Sequence, residues 1–536
     1  MMAEKMVMKR PNEGDAASAL FSVAGVGDMI VNALERHAER TAFVCQGEPI
    51  TYAHIAQQIS RTLQYFEALG LKRGDAIMQL TGNRHEMFVV MAAAFIGGYV
   101  SVIPNYSASF EDHRYMLEDS GAVLLVVDAA RASRGEQLLA AAQRPLRLAA
   151  HDPVPDTTDF WGAVERYTPR PLEALDQPAD NIRLIYTGGT TGVPKGVMTE
   201  SRALAFASLL HIAEQGFDTA VRLLVSSPLS HGAGALVIPV LVKGGTVVIH
   251  DGFDVDKTLE AIAQRQATVL FVVPTMLYML MDHPRIGSVD LRGLRRIIYT
   301  AAPISESRLA HALSLFGPIL HQNYGQTEVP GTILALTAED HLHPHGDKLT
   351  SAGKPYPCVA VRLVDENDNV LPRGGSIGEL CVRAPHVTRG YWNKPEATNE
   401  LLRDGWLHTG DMAFQDNDGY FHIVDRKKDM IISGGFNVYP QEVENSLASH
   451  PAIANAAVIG VPHEKWGEAV KAIVVLRAGS SATEQALIAH VRERKGPTMA
   501  PKTVEFVDSL PLTALGKIDK KALRAQYWQG HAKAVA

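Results

Sequence analysis

Short apolar runs alternate with amphipathic segments along the first part of the chain. Period-2 or continuous apolar runs predict strands, and apolar residues repeated every three to four positions predict helices. The predicted helices cover residues 27–40, 52–69, 85–96 and 114–119. The predicted strands cover 42–45, 50–52, 75–80, 99–103 and 123–128. Strands that alternate with helices in this way are typical of a parallel sheet with helices on its faces.

The alternation resumes after a segment rich in Pro, Asp and Thr at residues 152–178. Predicted strands cover 182–186, 222–225, 246–250, 268–273, 296–299 and 319–323. Predicted helices cover 201–215, 256–266 and 305–315, the first of them capped by Ser201. The fold class is therefore α/β, with a large N-terminal domain of doubly wound sheets.

The pattern changes from about residue 351. Strands at 359–364, 377–382 and 419–425, separated by turn residues, predict a β-rich subdomain. A small α/β unit follows, with strands at 431–432, 456–459 and 469–476 and helices at 440–449 and 483–495. The predicted organisation is a loose leader (1–24), an N-terminal domain (25–427) and a small C-terminal α/β domain (428–536).

Length and charge exclude several classes of protein. A chain of 536 residues is too long for one hydrophobic core. The net charge of −7, with no long basic run, gives a nucleic-acid partner no electrostatic support. The most membrane-like stretch, residues 88–104, is shorter than the roughly 20 apolar residues that a spanning helix needs. It is predicted to form a buried helix and a buried strand instead.

The cysteines and the N-terminus point to the cytoplasm. Cys45, Cys358 and Cys381 show no metal-ligand spacing, and their odd, low count suits a reducing compartment. Each is predicted to be a buried or half-buried small apolar residue. Residues 1–24 lack the continuous apolar core of a secretory signal.

A loop rich in glycine and threonine interrupts the apolar pattern between Tyr186 and Gly196. Glycines allow backbone N–H groups to turn inward, threonine hydroxyls add donors, and Lys195 adds a positive charge. Such a loop can wrap a polyphosphate. It is not a Walker A loop, because Gly196 follows Lys195 where that motif has Ser or Thr. An ordinary surface loop is the alternative for this stretch by itself.

Three more polar segments follow predicted strands, at 230–232, 300–303 and 324–328. Ligands of parallel sheets bind beyond the carboxyl ends of the strands. Together with the loop, these segments supply phosphate donors, a small apolar slot, an aromatic face and one carboxylate. This set suits a nucleotide with a metal ion better than a hydride cofactor.

In chain order, the segments 186–196, 324–328, 409–411, 425–429 and 516–517 resemble the acyl-adenylate-forming superfamily. This superfamily comprises AMP-forming acyl-CoA and aryl-CoA synthetases, peptide-synthetase adenylation domains and firefly luciferases. The resemblance covers residues 28 to 527, most of the chain. It implies an enzyme that converts an acid and MgATP to acyl-AMP and pyrophosphate, after which a thiol displaces AMP. ATP, Mg²⁺ and coenzyme A are thereby implied.

The resemblance also implies a role for individual residues. The implied ATP-binding residues are Thr187, Gly188, Gly189, Thr190, Thr191, Gly192, Lys195, Ala302, Pro303, Asn323, Tyr324, Gly325, Asp411 and Arg426. The implied catalytic residues are Lys517, Thr327 and His231, with Glu328 as the metal ligand. The implied hinge is Lys428, and the implied CoA tunnel is formed by Ser433, Gly434, Gly435 and Phe436. Gly188 departs from the family's common serine, and a structural role is the alternative for His231.

The predicted acid pocket contains His231, Gly232, Ala301, Gly325 and Gly331. Gly232, Gly234 and Gly331 in these segments are expected to leave room, and the segments carry no charge besides Glu328, so the predicted substrate is a hydrophobic monocarboxylic acid, fatty or aromatic. CoA is the expected acceptor because no carrier domain is attached. The alternatives are a separate carrier protein as acceptor, or a catalytically silent nucleotide-binding homologue. Monomer and homodimer both remain open.

Overall fold

The computed structural model describes residues 25–155, 157–187, 193–343, 348–427, 429–433, 435–464, 466–513 and 517–528. Several predictions fall outside these ranges: the leader 1–24, the loop residues Gly188, Gly189, Thr190, Thr191 and Gly192, the hinge Lys428, and Gly434.

The first part of the chain builds a seven-stranded sheet and its helices. Its elements are α1 (Val26–Arg36), β1 (Thr41–Cys45), β2 (Glu48–Thr51), α2 (Tyr52–Ala68), β3 (Ala76–Leu80), α3 (His85–Ile96), β4 (Val100–Val102), α4 (Phe110–Ser120), β5 (Leu124–Val127), α5 (Ala132–Ala141), β6 (Arg147–Ala150), β7 (Thr158–Asp159), α6 (Phe160–Val164), β8 (Asn181–Thr187) and β9 (Lys195–Glu200). The strand order is β7-β6-β5-β3-β4-β8-β9, and only β9 runs antiparallel to its neighbour.

The next part completes a nine-stranded sheet. Its elements are α7 (Ser201–Gln215), β10 (Arg222–Val225), α8 (Val237–Val242), β11 (Thr246–Ile249), α9 (Val255–Ala263), β12 (Val269–Val272), α10 (Pro274–Met281), β13 (Arg296–Thr300), α11 (Glu306–Phe316), β14 (Leu320–Gln326), β15 (Val329–Leu336) and β16 (Lys354–Pro355). The order is β16-β15-β14-β13-β12-β10-β11-β1-β2, parallel from β14 to β1 and antiparallel at both ends.

The largest hydrophobic core lies between these two sheets. Helices α1, α2, α3, α7 and α8 pack there against one face of each sheet. The outer face of the nine-stranded sheet packs against α9, α10 and α11, and that of the seven-stranded sheet against α4 and α5. Both sheets are therefore covered on two faces, and the predicted doubly wound α/β class is confirmed.

The remaining elements form two smaller sheets. The first contains β17 (Ala360–Val364), β18 (Gly378–Arg383), β19 (Leu402–Arg403), β20 (Trp406–Gln415) and β21 (Phe421–Arg426), with α12 (Pro395–Leu401). The second contains β22 (Ile431–Ser433), β23 (Phe436–Val438), β24 (Ile453–His463), β25 (Gly467–Leu476) and β26 (Thr503–Phe506), with α13 (Pro440–Ala448), α14 (Glu484–Lys495) and α15 (Lys520–Ala525). The predicted boundary at residue 428 lies between β21 and β22.

Two local details differ from the sequence prediction. The glycine–threonine loop does not lead directly into a helix, because β9 intervenes and pairs antiparallel with β8, Thr187 opposite Lys195. Ser201 does not cap α7. The N-cap position is Glu200, and the Ser201 hydroxyl instead donates to Asp176 and accepts from the backbone N–H of Val26.

The segment at 88–104 forms the buried part of α3 and the buried strand β4, as predicted. In the described part of the chain, every helix is too short or too polar to cross a membrane. Cys381 is buried and Cys45 half-buried, but Cys358 is exposed, with a left-handed backbone (φ +65°). The prediction for Cys358 is therefore wrong, since a turn before β17 places it at the surface.

Candidate active site

The predicted phosphate side of the site joins the two large sheets. The ammonium of Lys195, at the start of β9, lies 5.0 Å from the ring centroid of Tyr391. The Tyr391 hydroxyl donates to Glu328 Oε1 at 2.8 Å, just beyond β14 of the other sheet. Tyr391 was not predicted from the sequence, because the contact joins residues 63 positions apart in the chain.

Glu328 presents one carboxylate in a buried position. Glu328 is only 9% exposed, and its backbone oxygen accepts a hydrogen bond from Thr388 N at 2.8 Å. Among the residues described, no group of three or more His, Cys, Asp or Glu side chains is placed to hold a metal ion. One carboxylate fits a cation such as Mg²⁺, which takes its remaining ligands from phosphate oxygens and water.

Asp411 is the centre of the predicted ribose side. The residue is 3% exposed, and its Oδ2 accepts from the Tyr324 hydroxyl at 2.6 Å. Gln326 Nε2 donates to the same oxygen at 2.7 Å, and Arg426 Nε lies 3.0 Å from Oδ1. A carboxylate offers about four lone-pair sites, so one remains for a ligand hydroxyl. Gln326 was not predicted.

The charge of Asp411 also sets the protonation of its neighbours. Asp411 raises the pKa of Arg426, so that this guanidinium stays charged. Burial, together with the same carboxylate, raises the pKa of Tyr324 well above its usual value. Tyr324 therefore remains a protonated hydroxyl that donates to Asp411 near neutral pH.

The predicted adenine slot lies beyond β13. Ala301 and Pro303 are exposed and Ala302 is half-buried, and Ala301 adopts a left-handed backbone (φ +76°) that turns this segment away from the strand. Asn323 lies behind it, with its side-chain oxygen accepting from Gln215 Nε2 at 3.0 Å and from the Tyr356 hydroxyl at 2.9 Å. The group that Asn323 can offer to a base is therefore its NH₂.

The C-terminal domain carries Lys517 into this cluster. The backbone of Lys517 is held in a turn, since Thr513 N donates to Lys517 O at 2.7 Å and Lys517 N donates to Thr513 Oγ1 at 3.2 Å. Burial lowers the pKa of Lys517, the charge of Arg426 lowers it further, and Asp411 opposes the shift. Lys517 thus lies within electrostatic range of both residues on the ribose side.

His231 lies next to the same lysine, before the short helix Gly232–Leu236. Its Nδ1 is 2.7 Å from Ser230 Oγ. Burial lowers the pKa of His231 to about 4, with a smaller contribution from the positive charge of Lys517. The imidazole is therefore neutral near pH 7, and Lys517 is the cation at this point of the site.

The lowered pKa of His231 predicts the pH dependence of acyl-AMP formation. An ordinary histidine titrates near 6.5, whereas His231 gains its proton only as the pH falls through about 4. Pyrophosphate release measured from pH 5 to 8 is expected to show no limb near pH 6.5 from this residue. A limb between pH 6 and 7 that disappears in the His231→Gln variant would contradict this assignment.

Most glycines of the predicted acid pocket allow close packing of neighbouring residues and do not leave empty space. A Cβ on Gly232 would lie 2.7 Å from Phe271 Cζ, and one on Gly234 would overlap the carbonyl oxygen of Leu229. A Cβ on Gly325 would overlap the backbone of Gly331. These glycines allow close packing, and the expectation that Gly232 and Gly234 leave space is wrong.

Gly331 differs from the other glycines of the pocket. Its backbone is left-handed (φ +70°), and a Cβ there would meet only the ring of His211, with Nε2 at 3.6 Å. His211, on α7, is 3% exposed, and neither of its ring nitrogens has a hydrogen-bond partner within the described ranges. Burial lowers its pKa to about 3, so the ring is neutral. This unpredicted residue therefore offers one donor and one acceptor beside Gly331.

The described residues of the predicted CoA segment, Ser433, Gly435 and Phe436, make no hydrogen bond or ion pair with this cluster. Ser433 is buried in β22 and pairs with Gly467 of β25. Phe436, at the start of β23, is 63% exposed, and Gly435 has a left-handed backbone (φ +83°). Lys517, by contrast, lies within electrostatic range of Asp411 and Arg426.

Thr187 and Thr327 stand at the carboxyl ends of β8 and β14, half-buried, as the motif predicts. Among the described residues, contacts thus join Lys195 to Glu328 through Tyr391, and join Tyr324 and Arg426 to Asp411. Residues 30–392 match the family of AMP-binding enzymes, and residues 442–517 match the C-terminal domain of AMP-binding enzymes. The chain belongs to the AMP-binding enzyme family.

Similar proteins agree with this assignment. The chain is 41% identical over 524 residues to the medium/long-chain-fatty-acid–CoA ligase FadD8 of Mycobacterium tuberculosis, covering 95% of this chain and 91% of that protein. It is 38% identical over 505 residues to a feruloyl-CoA synthase of Amycolatopsis, covering 94% and 99%. The solved structure of the amide bond synthetase McbA from Marinactinospora thermotolerans matches with a TM-score of 0.87 at 32% identity, covering 94% of this chain and 100% of that one.

These likenesses confirm the predicted acyl-adenylate-forming superfamily and the predicted enzyme class, an AMP-forming acid–thiol ligase. The roles predicted for individual residues and the domain boundary at residue 428 stay predictions.

Proposed function

We propose that this protein is an AMP-forming carboxylic acid–CoA ligase of the cytoplasm that activates a hydrophobic monocarboxylic acid. The observation that carries the proposal is the position of Lys517. A lysine from the C-terminal domain lies beside His231 and within range of Asp411 and Arg426, at the carboxyl ends of two parallel sheets. A largely buried cation at that point suits the formation of an acyl phosphate anhydride.

In the proposed first half-reaction, a carboxylate oxygen attacks the α-phosphorus of ATP and pyrophosphate leaves. Negative charge accumulates between the two reacting groups, and the Lys517 ammonium stabilises it more strongly in this partly buried setting than it would in water. Thr327 would donate to the α-phosphate. Thr187 and Lys195 would bind the leaving pyrophosphate together with the loop Gly188–Gly192.

Asp411 and Arg426 would hold the ribose, while Ala302, Pro303, Asn323 and Tyr324 would bind adenine. Glu328 fits a Mg²⁺ ion, which would neutralise phosphate charge when bound. Tyr391 donates to one oxygen of Glu328, so the other oxygen is the one available to the ion. Tyr391 therefore acts as a positioning residue.

In the proposed second half-reaction, a thiolate sulfur attacks the carbonyl carbon of acyl-AMP, forming the thioester and releasing AMP. Lys517 has no part in this step. Rotation of the C-terminal domain (428–536) about Lys428 would remove it and bring Ser433–Phe436 to the site. The exposure of Phe436, a large apolar side chain left without cover here, supports this second position.

The acceptor and the acid class are tested together. Purified protein is given MgATP with fatty, benzoic, cinnamic or arylalkanoic acids, and with CoA, a phosphopantetheine-bearing carrier protein or an amine as acceptor. We expect acyl-CoA and AMP in equal amounts by liquid chromatography, with the hydrophobic acids preferred over acetate. Thioester formation on the carrier but not on CoA would overturn the CoA proposal, and acetate as the best substrate would overturn the acid class.

A further inference from the structure

Arg183 is a cation in the middle of an otherwise apolar strand. Side chains alternate along a strand, so Arg183 projects from the same face of β8 as Ile185 and Thr187. Thr187 lies four positions after Arg183, which corresponds to about 13 Å along the strand. The Arg183 side chain is thus attached to β8 well before the point where the phosphate loop begins, farther from the proposed ATP site than Thr187 is.

The Arg183 side chain borders a cavity next to the predicted acid pocket. The lining includes Ile185, Leu204, Ser230, Ala235 and Ile238. Ser230 is the residue whose hydroxyl contacts His231, so the cavity and the catalytic cluster share a wall. Its volume of about 20 Å³ is room for one water-sized group and not for a further length of chain.

The guanidinium has no counter-charge in the part of the chain that the structure describes. Its Nε is buried without a hydrogen-bond partner, the residue as a whole is half-buried and lines the cavity, and no carboxylate of the described residues forms an ion pair with it. Burial lowers the pKa of Arg183 to about 10, so the group is still charged at pH 7. A buried, unpaired charge is strongly destabilising, which is why such groups in folded proteins usually meet an anion or another acceptor.

We propose that Arg183 binds a hydroxyl oxygen at the distal end of the acyl group, and so selects monocarboxylic acids that carry a terminal hydroxyl over acids that end in methyl. This inference rests on the proposed acid–CoA ligase function. It refines the expected substrate: the acid is apolar along its length but oxygenated at its far end.

The donor set of the side chain limits the ligand chemistry. A guanidinium has five N–H donors and no acceptor, so it pairs with an oxygen acceptor and not with an amine. A hydroxyl oxygen accepts a hydrogen bond from the charged guanidinium and fits the water-sized cavity, whereas a carboxylate is larger than that cavity. The apolar lining around it makes this hydrogen bond stronger than in water.

The test compares acids of equal length that differ only at the far end. Decanoate, ω-hydroxydecanoate and decanedioate, with the shorter and longer members of each series, are assayed for CoA-dependent AMP release. We expect the ω-hydroxy series to exceed the methyl-ended series in kcat/KM by about tenfold to 100-fold, the size expected for a hydrogen bond to a charged group, and we expect no such gain for the dicarboxylic series. Arg183→Met is expected to abolish this preference and to raise kcat/KM for decanoate.

A second measurement keeps the test decisive if activity is low. The Tm of Arg183→Met without substrate is expected to exceed that of the wild type, because an unpaired charge has been removed. The ω-hydroxy acid should raise the Tm of the wild type but not that of the variant. Arg147→Met, which replaces an exposed arginine at the start of β6, is the matched control and should change neither measurement.

The experiment distinguishes failure of the role proposed for Arg183 from failure of the proposed ligase function. If decanoate is the best substrate and Arg183→Met leaves the ratio of the three acids unchanged, the role of Arg183 is overturned while the ligase function stands. If no acid in any series yields AMP in the presence of CoA, the proposed function itself is overturned.

Discussion

Replacing Lys517 by alanine is expected to slow acyl-AMP formation by about 100-fold to 1,000-fold, the loss typical of removing one preorganised charge or donor from a transition state. Conversion of supplied acyl-AMP and CoA to acyl-CoA should remain largely intact. The reason is positional: Lys517 lies with His231, Asp411 and Arg426 on the ATP side, where the first half-reaction takes place.

Both half-reactions can be measured on the same preparation. Pyrophosphate release from acid and ATP reports the first, and thioester formation from synthetic acyl-AMP reports the second. Lys521→Ala is the matched control, since Lys521 is an exposed lysine on α15, four positions further along, and should leave both rates unchanged. Equal losses in the two half-reactions of Lys517→Ala would mean that the lysine supports folding or both steps, against the proposed role.

Asp411→Asn is expected to lower kcat/KM for ATP by about 30-fold to 150-fold, from roughly 2–3 kcal/mol for lost hydrogen bonds to a charged acceptor. Asparagine has the same shape but only one acceptor oxygen. Its NH₂ would face a donor from Arg426 on one side or from Tyr324 and Gln326 on the other. The variant therefore loses the site for a ribose hydroxyl and gains a donor–donor conflict.

The effect should appear in nucleotide affinity more than in affinity for the acid. Calorimetric titration with ATP tests this directly, and a melting curve of each protein separates weak binding from poor folding. Asp404→Asn is the control, because Asp404 is exposed and its left-handed backbone (φ +49°) is tolerated by asparagine. Unchanged ATP affinity in folded Asp411→Asn would remove Asp411 from the nucleotide site.

The elements that the sequence predicted best are continuous apolar segments with clear breaks at both ends. Helix α3 was predicted to the residue, and β10 likewise, because both are continuous apolar segments between clear breaks. Strand β9 was not predicted, because its six residues, Lys195–Glu200, include a glycine, a lysine and a glutamate and show no clear alternation of apolar and polar side chains. Pairing with β8, a tertiary contact, makes that segment a strand.

The candidate site also contains some residues that sequence motifs identify and others that only tertiary contacts identify. Glu328, Asp411 and Lys517 could be named because they stand in motifs whose order along the chain resembles a known family. Gln326, although it lies within one of these motifs, could not be assigned to Asp411, because the contact spans 85 residues. The same holds for Tyr391 and its contact with Glu328.

The amino-acid sequence by itself determined the α/β alternation, the position of the phosphate loop and the kind of chemistry that the chain performs, since these depend on local periodicity and on short motifs. Only the tertiary structure decided which glycines leave space and which allow close packing, because that depends on neighbours such as Phe271 and Leu229. It also decided that Lys517 lies within electrostatic range of Asp411 and Arg426, and that Arg183 borders a small, mostly apolar cavity with no ion-pair partner among the described residues, because folding brings together residues that are far apart in the chain.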